Sequence, residues 1–140
     1  MSTARIQIEH NGKTYGGHIA TIDRTTLGSP SHGVVSAWLH TKWLGGGVGV
    51  GGLCLDEPLK DDDGKFIKRV GTAYGLDHIM QVMETVGVEK WEDLPGKHII
   101  VLFEGKSIWG ATSVGIAGIT NGKVLIYKDH VSEWDEKENN

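Results

Sequence analysis

Glycine is the residue type that most constrains this chain, and it is concentrated in residues 45–52, which read GGGVGVGG. Glycine accounts for 21 of the 140 residues and proline for only three, so the share of glycine is about twice the average for globular proteins. Glycine destabilises helix interiors but permits tight turns and close approach of one backbone to another. The composition therefore predicts a turn-rich and β-rich fold.

The glycine segment also contains the spacing Gly47-x-Gly49-x-x-Gly52, which is formally the fingerprint of dinucleotide-binding folds. That fingerprint requires a helix directly after the glycines, so that the helix N-terminus faces the pyrophosphate. A short β-type run, residues 53–55, follows here instead, and the dinucleotide interpretation fails. The segment remains open to three interpretations: a plain turn, a contact with a ligand, or a contact with another subunit.

The hydrophobic pattern predicts an α+β fold, in which a strand-rich antiparallel sheet is covered by one main helix at about residues 72–87. Asn11-Gly12 separates alternating segments near 4–9 and 14–23, which is the pattern of a β-hairpin. The helix is indicated by five apolar residues at helical spacing: Leu76, Ile79, Met80, Met83 and Val86. Further strands are predicted at 34–44, 53–55, 99–103, 108–119 and 124–127.

Length and charge limit the organisation of the chain and its partners. A chain of 140 residues fits a single domain, 1–140, with residues 56–69 as a solvated charged turn and 132–140 as a frayed acidic tail. The formal net charge of −4 argues against binding long nucleic acid through bulk charge. We find no apolar stretch of membrane-spanning length and no apolar signal core, so the expected location is the cytoplasm, without a membrane partner.

The chemically reactive residue types do not form a catalytic or metal-binding pattern. Cys54 is the only cysteine, which excludes a disulfide framework, and its position between two leucines predicts a buried, inert thiol. The seven histidines lack metal-ligand spacing, and His78 is expected on the exposed side of the helix. We therefore predict no metal, no cofactor and no catalytic residues, so that the protein is not an enzyme.

The segment that leads into the helix is the best candidate for a binding site. Arg69 precedes Thr72, Ala73 and Tyr74 at the predicted helix start, where unpaired N–H groups and a partial positive charge favour anions. Thr72 can cap the helix, Arg69 can bind a phosphate in a bidentate manner, and the ring of Tyr74 can stack on a base. The alternative is an ordinary capped helix preceded by solvated basic residues.

Four motifs resemble a set of small bacteriophage proteins: Leu27-Gly28…His32-Gly33, Gly51-Gly52-Leu53-Cys54-Leu55-Asp56, Arg69-Val70-Gly71-Thr72-Ala73-Tyr74-Gly75 and residues 86–97 (VGVEKWEDLPGK). The chain is similar in this pattern to the anti-defence "sponge" proteins. These proteins sequester cyclic nucleotide immune signals without hydrolysis, either cyclic ADP-ribose isomers of Thoeris defence or cyclic di- and trinucleotides of the CBASS pathway. The resemblance implies immune evasion inside an infected bacterium, and a homo-oligomer with ligand sites near its subunit contacts.

The resemblance and the helix start together give the expected ligand-binding residues: Arg69, Thr72, Ala73, Tyr74, His32, Gly51 and Gly52. The expected partners are a cyclic nucleotide signal and further copies of the chain. Ser29-Pro30-Ser31 departs from the aromatic and acidic residues usual in the family, as do Val48 and Val50 from its more polar ones, and this leaves the identity of the nucleotide open. The alternative function is a small phage protein that binds and inhibits a host protein.

Overall fold

The computed structural model describes residues 5–29, 33–104 and 112–138. Its first element is the predicted hairpin, formed by β1 (Arg5–His10) and β2 (Lys13–Gly28). Asn11 and Gly12 both have positive φ angles, 52° and 79°, as the tight turn between two twisted strands requires. Strand β2 is longer than predicted because three strands pair with successive parts of it.

These pairings build an antiparallel sheet of seven strands, which confirms the predicted α+β fold. The added strands are β3 (Ser36–Trp43), β4 (Gly46–Gly51), β7 (His98–Glu104), β8 (Ser113–Ala117) and β9 (Val124–Ile126). The strand order is β4-β3-β2-β7-β8-β9, and β1 pairs with β2 beside this path.

Strand β7 lies inside the sheet and is buried on both faces. Ile99, Val101 and Phe103 belong to one core cluster, whereas Ile100 and Leu102 belong to a second. Successive side chains of a strand point to opposite faces of the sheet. The unbroken apolar run therefore serves two cores.

The glycine segment forms strand β4, not a turn, and this corrects the plain-turn interpretation. A Cβ atom at Gly46 would lie 2.9 Å from the Trp43 ring, and one at Gly49 would lie 3.1 Å from the Trp38 ring. Gly52 lies directly against the same Trp38 ring. At Gly46, Gly49 and Gly52, the absence of a side chain leaves room for the two indole rings of β3.

The charged segment 56–69 also differs from its prediction. It contains β5 (Asp56–Lys60), and β6 (Phe66–Gly71) begins within it and pairs with β5 as a separate two-stranded sheet. Leu59, Phe66 and Ile67 are exposed on this hairpin. The segment is therefore an ordered ribbon with apolar side chains in solvent.

Helix α1 (Ala73–Val86) has the predicted ends. The Thr72 hydroxyl accepts a hydrogen bond from the Gly75 N–H at 2.8 Å, and Gly87 ends the helix in the left-handed conformation. The predicted buried face is wrong, however. Leu76 and Met80 are 65% and 53% exposed, and the helix instead buries Gly75, His78, Val82 and Thr85.

The prediction for residues 132–140 also needs correction. Residues 127–138 form helix α2 (Tyr127–Glu138), so the expected frayed tail is helical through residue 138. The helix is polar overall but packs on α1 through His130 and Trp134, whose side chains both bind Asp77. The pairing of α1 with α2 creates the site described next. Neither helix in the described ranges is long and apolar enough to span a membrane.

Candidate functional site

The guanidinium group of Arg69, which is expected to bind phosphate, pairs with a carboxylate of its own chain. On β6, its Nε donates to Asp56 Oδ2 at 2.7 Å and its Nη2 donates to Asp56 Oδ1 at 3.1 Å. This fork lowers the pKa of Asp56 to about 2, with help from the Val35 N–H and the Cys54 thiol. The interpretation of Arg69 as a solvated loop residue is therefore wrong.

Cys54 is exposed, which corrects the expected buried thiol. Its Sγ donates to the Asp56 backbone oxygen at 3.1 Å and lies 3.6 Å from Arg69 Nη2. Asp56 itself is buried although it is charged. The bonds of Cys54, Asp56 and Arg69 fix the β5–β6 hairpin beside the start of α1.

The start of α1 is anchored to segment 52–55, which precedes the hairpin and forms no strand, although the sequence pattern predicts one at 53–55. The Thr72 hydroxyl donates to the Leu55 carbonyl oxygen at 2.8 Å while it caps the helix. Gly75 lies against the same carbonyl, where a Cβ atom would collide with it. Ala73 is exposed and Tyr74 is half-buried. The capping role predicted for Thr72 is confirmed, and the position of the helix is set by backbone contacts.

Thr72 and Tyr74 border a cavity of about 140 Å³ between the start of α1 and helix α2. The other residues that line it are Cys54, Asp56, Glu57, Val131, Trp134 and Asp135. Three carboxylates therefore face this cavity, and Arg69 neutralises one of them. The electrostatics disfavour a phosphate here and favour a group that donates hydrogen bonds.

Gly51 borders a second, larger cavity of about 440 Å³ on the other side of Val131. Its lining is mainly apolar and also includes Leu53, Ser113, Val114, Tyr127, Lys128 and Ser132. Lys128 supplies a positive charge, and the two serines supply hydroxyl groups. The two cavities share Val131 and form what we call the α2 groove.

The other residues that were predicted to bind ligand are not among the described residues that line the α2 groove. Gly52 lies against Trp38, and Arg69 binds Asp56. His32 lies outside the described residues. Thr72 and Tyr74 line the smaller cavity and Gly51 lines the larger one. The sequence pattern does not indicate Val131, Trp134 or Lys128, because it does not predict α2.

Behind Tyr74, the two helices enclose a cluster of ionisable side chains that sequence reasoning did not find. His130 Nε2 donates to Asp77 Oδ2 at 2.7 Å, and Trp134 Nε1 donates to the same oxygen at 3.0 Å. The His78 and His130 ring centroids are 6.3 Å apart. His78, expected on the exposed side, is 1% exposed, and His130 is 5% exposed.

Burial controls the charge of this cluster. Desolvation, with a smaller contribution from His130, lowers the pKa of His78 to about 4, so this ring is neutral at pH 7. Desolvation also acts against the charge of Asp77, but hydrogen bonds from His130 and Trp134 keep its pKa below the ordinary value. Burial raises the pKa values of Tyr74 and Tyr127. The cluster therefore holds one carboxylate anion and protonated tyrosines.

The cluster could have been found from the sequence only with a helix assigned at the C-terminus. His130 and Trp134 are four residues apart and share one helical face, while Asp77 and His78 lie in the predicted helix. Within the part of the chain described, no three His, Cys, Asp or Glu side chains are arranged to hold a metal ion. Asp77 and His130 therefore act here through hydrogen bonds.

In comparisons with known proteins, the chain matches no family model, no curated protein and no solved structure. The site must therefore be interpreted from its own geometry.

Proposed function

We propose that the protein is a non-catalytic binder that sequesters a cyclic nucleotide signal, and that it acts for a bacteriophage in the cytoplasm of the infected bacterium. The observation that carries this proposal is the α2 groove. Gly51, Thr72 and Tyr74 were expected to bind ligand for reasons of motif and helix position, and all three border that groove. Carboxylates line its smaller cavity and Lys128 lies in its larger one, so the groove is complementary to a ligand with hydrogen-bond donors at one end and an anion at the other.

The groove favours one orientation of the ligand. A base fits the smaller cavity, where Tyr74 and Trp134 offer aromatic rings and the carboxylates accept hydrogen bonds from amino groups. The phosphates fit the larger cavity, where Lys128, Ser113 and Ser132 can contact them. Arg69 then acts through Asp56, as a positioning residue for the wall of the smaller cavity.

The buried histidines favour binding without turnover. Cleavage of a phosphodiester by an acid and a base requires both groups within hydrogen-bond reach of the reacting atoms. His78 and His130 are nearly inaccessible behind Tyr74, so a ligand in the α2 groove does not reach them. Their role is to hold α1 and α2 together.

The experiment that tests sequestration is recovery of the ligand. The protein is mixed with a panel of cyclic dinucleotides, cyclic trinucleotides and cyclic ADP-ribose isomers, and complexes are detected by native mass spectrometry. Bound material is then released by heat and its mass is measured. Intact nucleotide supports the proposal, whereas a linear product or the absence of any complex would contradict it.

We also propose that the protein self-associates through its exposed apolar side chains. A two-stranded ribbon is marginally stable alone, yet the β5–β6 hairpin exposes Leu59, Phe66 and Ile67. Leu76 and Met80 of α1 are exposed as well, at 65% and 53%. A second copy of this chain is the occupant we propose.

The same apolar surface favours one other function, binding and inhibition of a host protein. The two functions differ in what they predict for the isolated protein. A host-protein inhibitor would be monomeric and would bind none of the nucleotides in the panel. A nucleotide binder of the proposed kind would form an oligomer and bind at least one of them.

A further inference from the structure

Three aromatic rings lie close together between α1 and α2. The ring centroids of Tyr74, His78 and His130 form a triangle with sides of 5.2, 6.1 and 6.3 Å. Each ring carries one buried polar atom, namely Tyr74 Oη, His78 Nδ1 and His130 Nδ1, and none of the three has a hydrogen-bond partner among the described residues. Buried polar atoms in folded proteins almost always have a partner.

The hydrogen-bonding capacities of these atoms are complementary to one small molecule. His130 Nε2 donates to the Asp77 carboxylate, and an imidazole that carries its single proton on Nε2 accepts a hydrogen bond at Nδ1. The Tyr74 hydroxyl can donate, and His78 Nδ1 can take either role according to its tautomer. One molecule with two donors and two acceptors satisfies all three atoms, and water has this capacity.

We propose that the Tyr74–His78–His130 triangle is a binding site for a single ordered water molecule. The water accepts a hydrogen bond from Tyr74 Oη and donates one to His130 Nδ1, and its second donor or acceptor serves His78. It thereby connects the Asp77–His130 pair to Tyr74 and ties the first turn of α1 to α2. This inference does not depend on the ligand proposed for the α2 groove.

Two measurements on the full-length protein test the water site. Water-selective nuclear Overhauser spectra should show cross-peaks from bound water to the ring protons of His78 and His130, and Tyr74→Phe should remove them. The same variant loses a satisfied hydrogen bond, so its thermal midpoint should fall by about 3–5 °C.

A dry triangle gives the opposite result, because removal of an unsatisfied buried hydroxyl relieves a cost. An unchanged or higher midpoint for Tyr74→Phe would overturn the proposal, and so would absence of the water cross-peaks in the unmodified protein. Tyr15→Phe, in the other core cluster, is the matched control for loss of a tyrosine hydroxyl. Its spectrum should keep the water cross-peaks, and their loss there would also overturn the assignment to Tyr74.

Discussion

Lowering the pH from 7 to 5 should destabilise the protein, and His78 should be the principal cause. Its pKa is about 4 in the folded chain against an ordinary value of 6.5. The unfolded state therefore binds a proton that the folded state excludes. The contribution of neutral His78 to the free energy of unfolding is complete above pH 6.5 and is lost as the pH falls from 6.5 towards 4.

The size of this effect follows from the difference in pKa. A difference of about 2.5 units corresponds to about 3 kcal/mol when fully developed, and about 2 kcal/mol of it is lost between pH 7 and pH 5. The carboxylates whose pKa values are lowered, Asp23, Asp56 and Asp77, titrate below the ordinary value of 3.8 and therefore outside this range.

The assay is urea-induced unfolding at pH 7, 6 and 5, with the free energy of unfolding extrapolated to zero denaturant. His78→Phe is the matched variant, because it keeps an aromatic ring of similar size and cannot take up a proton. It should be less sensitive to pH than the unmodified protein by about 2 kcal/mol over this range. An identical pH dependence in the two proteins would refute the reasoning.

Two further predictions concern the hairpin. Arg69→Ala should leave Asp56 buried without its cation, so the pKa of Asp56 should rise from about 2. Acid unfolding, followed by circular dichroism between pH 5 and pH 1.5, should then begin at a higher pH than in the unmodified protein. Lys60→Ala, in the same hairpin, should not shift the unfolding curve. Phe66→Ser combined with Ile67→Ser should convert the oligomer to a monomer without unfolding it, because both side chains are exposed; light scattering after gel filtration measures the mass, and an unmodified protein that is already monomeric at micromolar concentration would contradict self-association.

Local signals in the sequence were sufficient for several elements. The turn at Asn11-Gly12 depends on two residues that tolerate positive φ, and the ends of α1 depend on a capping Thr72 and a terminal Gly87. These features are decided by neighbours within about one turn of chain. They can be predicted because no distant partner changes them.

Features that depend on distant partners could not be predicted in the same way. The glycine segment is a strand because it pairs with β3, and glycine is accommodated there because the rings of Trp38 and Trp43 lie against it. Arg69 pairs with a carboxylate because the hairpin register places Asp56, thirteen residues earlier, within its reach. In α1, the spacing of apolar residues indicates the wrong buried face, because α2 covers the face that carries His78.

The candidate site depends most strongly on such a partner. Helix α2 has an acidic composition that favours a solvated tail, and its packing relies on Asp77, which lies 53 residues before His130. Without α2, Thr72 and Tyr74 form only a helix start. With α2 in place, Val131, Trp134 and Lys128 complete a groove.

The most direct test of nucleotide binding in the α2 groove is calorimetric titration of a groove variant with the nucleotide that the native protein retains. Val131→Trp places an indole between the two cavities, while Glu136→Trp places the same side chain at an exposed position of the same helix. Val131→Trp should weaken binding by at least about tenfold, which corresponds to about 1.4 kcal/mol, and Glu136→Trp should bind like the unmodified protein. Equal affinities for all three proteins would contradict a site in the groove.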